Sequence, residues 1–395
     1  MSAAATVPTF DPRDPLFLDG QLDDEERLIR DTVRQYVREK FLPVVGEHYE
    51  AGTIPETTGT DLGSLGLLGM HLEGYGCAGA SATAYGLTCL ELEAGDSGLR
   101  SFCSVQGSLA MFAIHRWGSE EQKQKWLPGM AAGETIGCFG LTEPDAGSNP
   151  AGMRTRAKKV GDKWVLNGTK MWITNGSIAY LAVVWARNED GKVNGFIVEK
   201  GMPGFSAPQM HGKLSLRASV TSELVLDGVE VPEENRLPEA TSLRAPLSCL
   251  NEARFGIVFG AAGAARACYE AAVDYAKSRV QFEKPIAGYQ LTQAKLVEMA
   301  VKVGQSTLLA LHLGRLKDAG QLSTEQVSFG KYHNVSAAME VARSARTVLG
   351  ANGITLEYPV LRHANNLESV LTYEGTHEMH TLILGNAITG LPAFT

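Results

Sequence analysis

Residues 163–174 read KWVLNGTKMWIT, and LAVVW (181–185), GFIV (195–198) and LVL (224–226) follow. Each run is short and β-rich, and the runs are separated by turn signals: Asn167-Gly168, Asn175-Gly176, Asp190-Gly191 and Asp227-Gly228. Five or more such strands with no long helical pattern between them predict a small antiparallel sandwich or barrel from Ile136 to about Pro238. On either side the period changes. Leu28, Ile29, Thr32, Val33, Tyr36 and Val37 recur at helical spacing behind the acidic run Asp23–Glu26, which suits a first turn. Tyr85–Ala94 and Val105–Trp117 are further helical candidates. After about Leu250 the Ala-rich stretches Phe259–Arg279, Gln290–Ala319 and Thr324–Leu349 have the length and period of packed bundle helices. The expected class is α+β. An N-terminal helical domain (1–135) and a middle antiparallel β domain (136–245) precede a C-terminal four-helix bundle (246–395). Strands and helices do not alternate, so a Rossmann or barrel topology is not expected.

Composition narrows the function. Of 395 residues 43 are Gly, without a collagen-like period, while 44% are hydrophobic and 20% charged, the proportions of a globular chain. A net charge of -8 argues against a nucleic-acid partner, which calls for a basic stripe. No apolar run approaches the roughly 18 residues needed for membrane insertion. Six scattered cysteines form no C-x-x-C pair and read as reduced core thiols. The opening MSAAATVPTFDPRDPLFLDG lacks the features of a signal or transit peptide, so the cytoplasm is the expected compartment, or the mitochondrial matrix for a processed eukaryotic chain.

Four segments could carry chemistry. Gly74-Tyr75-Gly76-Cys77-Ala78-Gly79 fits G-x-G-x-x-G, but no clean strand precedes it and no βαβ pattern follows, so a loop is the better reading. CFGLTEPDAGSN (138–149) offers small residues and hydroxyls that let backbone N–H groups approach a planar, acceptor-rich ligand. GTKMWITN (168–175) places Trp172 beside hydroxyls on a strand, as a core residue or as a wall for a flat ring. NLESVLTYEGTHEMH (366–380) sets Glu374 before a Gly, on a bend between helices, with its carboxylate free to enter a cleft. His377, Glu378 and His380 lack zinc-site spacing, and no metal is expected.

Together and in this order, GCFGLTEPDAGSN, NGTKMWITN, SLRAS with DGVEVPEENRLP, RVQFEKPI and TYEGTHEMHTLILGNAITG resemble the acyl-CoA dehydrogenase family of flavoproteins, above all its glutaryl-CoA-oxidising members. The resemblance runs from about Leu22 to the C-terminus. It implies the three-domain fold just described, a homotetramer, FAD as cofactor and an electron-transfer flavoprotein as electron acceptor. Glu374 is implied as the base that removes the thioester α-proton, with its backbone N–H helping to hold the thioester oxygen. Phe139, Leu141, Thr142, Gly147 and Ser148 match a flavin loop, and Trp172, Ile173 and Thr174 the wall beside the ring. Arg279, Phe282, Gln290, Leu349, Gly350 and Gly353 match segments that reach a neighbouring subunit's dinucleotide. Thr376 and Glu378 also match flavin-contacting positions. Ser148, Leu250, Asn251 and Arg254 match positions along the CoA arm, where a guanidinium suits an anionic group. Tyr373 and Gly375 line the acyl end.

Substrate choice is implied by EAGDSGLRSFCS (93–104). Arg100 and Ser104 match residues that hold a distal carboxylate, with Ser101 and Glu93 nearby, because a buried carboxylate needs a fixed cationic partner. The implied reaction is oxidation of glutaryl-CoA followed by loss of CO2 to give crotonyl-CoA. A monocarboxylic short-chain dehydrogenase, a non-decarboxylating glutaryl-CoA dehydrogenase and an inert acyl-CoA-binding scaffold are the alternatives. A nicotinamide enzyme using Gly74, Gly76 and Gly79 is the reading from another class. Two departures from the family pattern touch FAD binding: Ala351 stands where a second Gly is common, and Asn149 where Asp is.

Overall fold

A computed structural model describes residues 9–393; part of the opening stretch read for a leader, residues 1–8, lies outside them. The chain starts with seven helices: α1 (Asp24–Tyr36), α2 (Val45–Ala51), α3 (Thr58–Ser64), α4 (Ala82–Gly95), α5 (Ser97–Ser104), α6 (Phe112–Trp117) and α7 (Glu120–Ala131). Wide π-type turns over Val105–Met111 join α5 to α6 without a break. Strands follow as β1 (Gly137–Gly140), β2 (Arg156–Val160), β3 (Lys163–Thr174), β4 (Leu181–Arg187), β5 (Val193–Glu199), β6 (Phe205–Ser206) and β7 (Thr221–Pro232). Then come α8 (Arg244–Ser278), a hairpin of β8 (Val280–Gln281) and β9 (Lys284–Pro285), and the helices α9 (Gln290–Asp318), α10 (Thr324–Leu349), α11 (Val360–Thr372) and α12 (His377–Thr389).

The acidic run caps α1 as expected. The Asp23 carboxylate accepts the Glu26 N–H and the Glu26 carboxylate accepts the Asp23 N–H, a reciprocal pair that satisfies two of the donors exposed at a helix start. Further along, Arg34 of α1 and Arg266 of α8 both clasp Glu91 of α4 at 2.6–3.1 Å. Burial pushes the Glu91 carboxyl up, but Arg266 and Arg34 outweigh it and hold it at about 2. A folded pKa below the unfolded one stabilises the protein above the ordinary carboxylate range and stops doing so as pH falls toward 2. Glu91→Gln leaves two guanidinium groups facing a neutral amide and is expected to cost about 3 kcal/mol at pH 7. Urea unfolding should show that gap narrowing as pH drops below about 4; a gap that stays constant with pH would contradict the ion-pair account.

Strands β1 to β7 form one curled sheet in the order β1-β4-β2-β3-β7-β6, with β5 paired to β4. It is mixed rather than wholly antiparallel. β1 runs parallel to β4, and Arg156 makes a parallel contact with Arg187. The reason is chain length: a loop and the β2–β3 hairpin intervene between β1 and β4, enough for a crossover. Two of the four turn signals are not turns. Asn167-Gly168 and Asp227-Gly228 lie inside β3 and β7, facing each other where the register slips; Asn167 Oδ1 accepts the Gly228 N–H at 2.8 Å. Gly168, at φ +148°, has Thr155 Cα 2.8 Å from where a Cβ would stand, so the bulge needs glycine on both counts. Asp190-Gly191 does close the β4–β5 hairpin.

The bundle packs α8, α9 and α10 against one another, with α11 on α8 and α10, and α12 added along α10. α8 begins at Arg244, fifteen residues before the predicted start. Pro246 does not stop it, because a proline in the first turn forfeits no intrahelical hydrogen bond. α4 crosses α8 closely: a Cβ on Gly263 would stand 1.9 Å from the Leu90 carbonyl oxygen. This crossing brings the helices of both ends of the chain to one buried centre. No helix among the described residues is long and apolar enough to cross a membrane.

Candidate active site

The connection from α11 to α12 carries Glu374 in the left-handed region, at φ +53°, followed by Gly375 at φ +99°. Three successive carbonyl oxygens of this bend are held. Arg254 Nε of α8 donates to that of Glu374 at 2.6 Å, and Lys331 Nζ of α10 donates to those of Tyr373 (2.6 Å) and Gly375 (2.5 Å). Position 375 is tight for a side chain, and its φ of +99° strains any residue but glycine. A Cβ would lie 3.1 Å from His380 Nε2 and 3.3 Å from Arg254 Nη2. The Glu374 carboxylate points inward, and its Oε2 is buried without a hydrogen-bond partner among the described residues. Burial raises its pKa, Glu93 adds to that, and Arg100, Lys331 and Arg254 pull the other way without cancelling it. The Glu374 N–H has no acceptor among the described residues and is free to donate to a ligand oxygen.

Arg100 and Glu93 are fully buried opposite this bend. Arg100 Nε donates to Glu93 Oε2 at 2.6 Å, and its Nη2 donates to the Tyr373 hydroxyl. That hydroxyl is also 3.2 Å from Ser101 Oγ. α5 is pinned in place at its start. Asp96 caps it by accepting the Gly98 N–H at 2.7 Å, and Asp96 Oδ2 accepts from Arg362 and from Asn366 (2.8 Å), both on α11. The two helices that carry Arg100 and Tyr373 are thereby locked together. Ser104 lies one turn beyond Arg100 on the same face, its Oγ buried and unpartnered, as is Glu93 Oε1. Gly260 of α8 makes room for the pair, since a Cβ there would stand 1.9 Å from Glu93 Oε2.

On the sheet side, β1 ends in the loop of Leu141, Thr142, Gly147 and Ser148. Phe139 and Leu141 are buried beneath it, while Gly147 and Ser148 are exposed. The Met171 N–H donates to the Thr142 carbonyl at 2.8 Å and ties the loop to β3. At that point the β3–β7 register breaks between Lys170 and Ile173, and Trp172 adopts φ +63°. The bulge turns the indole outward, 58% exposed, while Ile173 goes into the core and Thr174 is half-buried. A flat aromatic wall thus stands beside a loop whose Gly147 and Ser148 are exposed.

Three domains of one family match the chain in succession. The chain matches the acyl-CoA dehydrogenase N-terminal domain over residues 23–134, the middle domain over 138–229 and the C-terminal domain over 243–389. An acyl-CoA dehydrogenase of Bacillus subtilis is 36% identical over 372 residues, 93% of this chain and 98% of that protein. The chain belongs to the acyl-CoA dehydrogenase family. Among solved structures, a glutaryl-CoA dehydrogenase from Mycobacterium smegmatis is 66% identical with a TM-score of 0.95, covering 97% of this chain and 99% of that one. A glutaryl-CoA dehydrogenase from the same organism in complex with FADH2 is 60% identical with a TM-score of 0.96, covering 98% and 100%.

Within this acyl-CoA dehydrogenase fold the remaining expected residues fall into four places. Thr376 caps α12, its Oγ1 accepting the Met379 N–H, with Glu378 exposed in the first turn. Leu250 and Asn251 are half-buried on α8 near Arg254, and Asn251 Oδ1 is buried without a partner. Arg254, expected beside an anionic CoA group, has its Nε on the Glu374 carbonyl, and no hydrogen bond of its Nη1 or Nη2 is found among the described residues. Arg279, Phe282 and Gln290 cluster at the exposed turn from α8 to α9. Leu349, Gly350 and Gly353 lie at the end of α10. Arg279 follows Arg254 by 25 positions, about 37 Å along a straight helix, so the two serve different regions of the surface. The nicotinamide fingerprint Gly74–Gly79 is a turn with no strand before it, as its context suggested.

Sequence reading missed three groups. Lys331 was invisible within an amphipathic bundle helix. The buried pair Lys170–Glu143 (2.8 Å) braces the loop, with Glu143 also accepting the Arg154 and Thr155 N–H groups. Burial lowers Lys170 to about 8. Its neighbours Gly168 and Trp172 drew the attention instead. Gly260 passed as one small residue among many in α8. His377 stacks on Tyr332 at 4.0 Å while His380 is buried by Gly375, so the two imidazoles serve different surroundings; among the described residues no His/Cys/Asp/Glu group has metal-site geometry.

Proposed function

We propose that the chain is an FAD-dependent glutaryl-CoA dehydrogenase that oxidises its substrate between the α and β carbons and decarboxylates it to crotonyl-CoA and CO2. The observation that carries this reading is the buried Arg100 guanidinium facing Glu374 across the bend, paired with Glu93 and the Tyr373 hydroxyl, with Ser101 and Ser104 on the same helix. Around Glu374 stand three cations (Arg100, Arg254, Lys331) and two carboxylates (Glu93, Glu374 itself), a surplus of positive charge that suits one more carboxylate. A fatty acyl tail would gain nothing from it.

The residues present fit a flavin. The outward-turned Trp172 and the unpartnered buried polar atoms Asn175 Nδ2 and Ser177 Oγ lie in one stretch of chain next to the exposed Gly147–Ser148 loop. Phe139, Leu141, Thr142, Ile173 and Thr174 shape that wall, and Thr376 and Glu378 follow the base at its edge. Bound there, FAD would accept a hydride equivalent from the substrate β-carbon. Arg279, Phe282, Gln290, Leu349, Gly350 and Gly353 would serve the dinucleotide of a second copy in a homotetramer. Leu250, Asn251 and Ser148 would lie along the CoA arm.

Glu374 takes the α-proton. Its desolvation makes it a stronger base once substrate closes the cleft, and its own N–H stands ready for the thioester oxygen. With the substrate carboxylate held by Arg100 and Ser104, the enoyl thioester can lose that carboxylate as CO2. The protonated Glu374 then returns its proton to the dienolate, and Glu93, linked to Arg100, completes the polar network around the leaving group. Electrons pass to an electron-transfer flavoprotein, and the compartment proposed is the cytoplasm. Anaerobic mixing with glutaryl-CoA tests this directly: flavin bleaching and CO2 release are expected together, with crotonyl-CoA identified by mass. Bleaching without CO2 and with glutaconyl-CoA as product would replace the reading by the non-decarboxylating one.

A further inference from the structure

We propose that Lys331 is a positioning residue for the base, clamping the carbonyls on both sides of Glu374 so that its carboxylate is presented into the cleft. The proposal rests on the reading of Glu374 as the base. Lys331 is 2% exposed on α10, and among the described residues it makes no salt bridge. A buried ammonium without a carboxylate partner is expensive to desolvate. Its Nζ is instead spent on two backbone oxygens, of Tyr373 and Gly375. Arg254, from α8, holds the carbonyl between them. Two cations on two bundle helices therefore fix three consecutive peptide groups, and the residue they bracket is a non-glycine at φ +53°. That conformation is one an L-residue abandons when nothing holds it. Were the bend to relax to negative φ, the carboxylate would swing away from the position the flavin wall and Arg100 define.

The same ammonium acts on the charge of the base. Glu374 is faced by Glu93 from α4, Arg100 from α5, Arg254 from α8, Lys331 from α10, Tyr373 at the end of α11 and His380 from α12. Burial drops His380 to about 3, so it stays neutral. Burial also brings Lys331 down to about 7, where Glu374 pushes back, so it is charged on the acid side of neutrality. Removing it takes away one of the three cations that favour the ionised carboxylate.

Flavin-loaded Lys331→Met and Lys331→Gln, assayed with glutaryl-CoA across pH, test the proposal beside Glu374→Gln. For Lys331→Met, kcat is expected to fall about 30-fold or more with KM within about threefold, because the step lost is presentation of the base. The acid limb of kcat/KM should move up by about one pH unit. A crystal structure of the variant should show Glu374 outside the left-handed region. Lys331→Gln keeps donors but no charge, so it should move the acid limb while retaining more of kcat, and it carries the test if the Met variant does not fold. Wild-type kcat and an unmoved acid limb in either folded variant overturn the proposal. A Glu374→Gln protein that stays active overturns the base reading instead; an inactive one beside wild-type-like Lys331 variants rejects the clamp alone.

Discussion

Glu374→Gln is expected to give a folded, yellow, flavin-retaining protein whose kcat on glutaryl-CoA is down by about 10³-fold or more, the scale of losing a positioned general base. The amide is isosteric, so the bend held by Arg254 and Lys331 stays as it is; only the acceptor of the α-proton is gone. Stability should move the other way. The folded-state pKa of Glu374 is raised above its unfolded value, so this site favours the folded protein below the ordinary carboxylate range, and that contribution is lost as pH rises through the folded value. A neutral Gln removes the loss, and thermal melting at pH 8 should show the variant at least as stable as the parent. Substantial turnover by Glu374→Gln would end the assignment of the base.

Arg100→Ala is expected to lower kcat/KM for glutaryl-CoA by about 10²–10³-fold, the range for removing one partner of a buried, hydrogen-bonded charge pair. Butyryl-CoA, with no distal carboxylate, should lose far less, so the ratio of the two substrates is the measurement that matters. The single substitution also strands Glu93 in a fully buried position, which destabilises the protein by about 3–5 kcal/mol. The double variant Arg100→Met with Glu93→Gln removes both charges and isolates the specificity effect from that cost. If it still prefers glutaryl-CoA as the parent does, Arg100 is not the carboxylate anchor.

The helical–β–helical order was legible because each element announces itself locally. The capping run Asp23–Glu26, the alternation around Trp164 and the long Ala-rich stretches of α9 and α10 are short-range signals that tertiary contacts reinforced. The glycine turns were only half legible. Asn167-Gly168 has the composition of a hairpin, yet pairing with Asp227-Gly228 across β3 and β7 made both into bulges, a choice that depends on a partner strand some sixty residues away. The parallel placement of β1 was equally out of reach, since the direction of a neighbour is a property of the path between strands.

The sequence by itself determined the family motifs, the base candidate in TYEGTH and the Arg–Ser spacing of LRSFCS, because residue type and local spacing carry that information. Only the tertiary structure decided how those groups are charged and held. Glu374 becomes a desolvated carboxylate because α4, α5, α8, α10 and α12 converge on it. Arg254 holds the bend because folding set its Nε 2.6 Å from the Glu374 carbonyl oxygen. Lys331, 43 residues upstream of the base and unremarkable in its helix, reached the same bend from the other side. Electrostatics and backbone strain are sums over neighbours in space, and no window along the chain contains those neighbours.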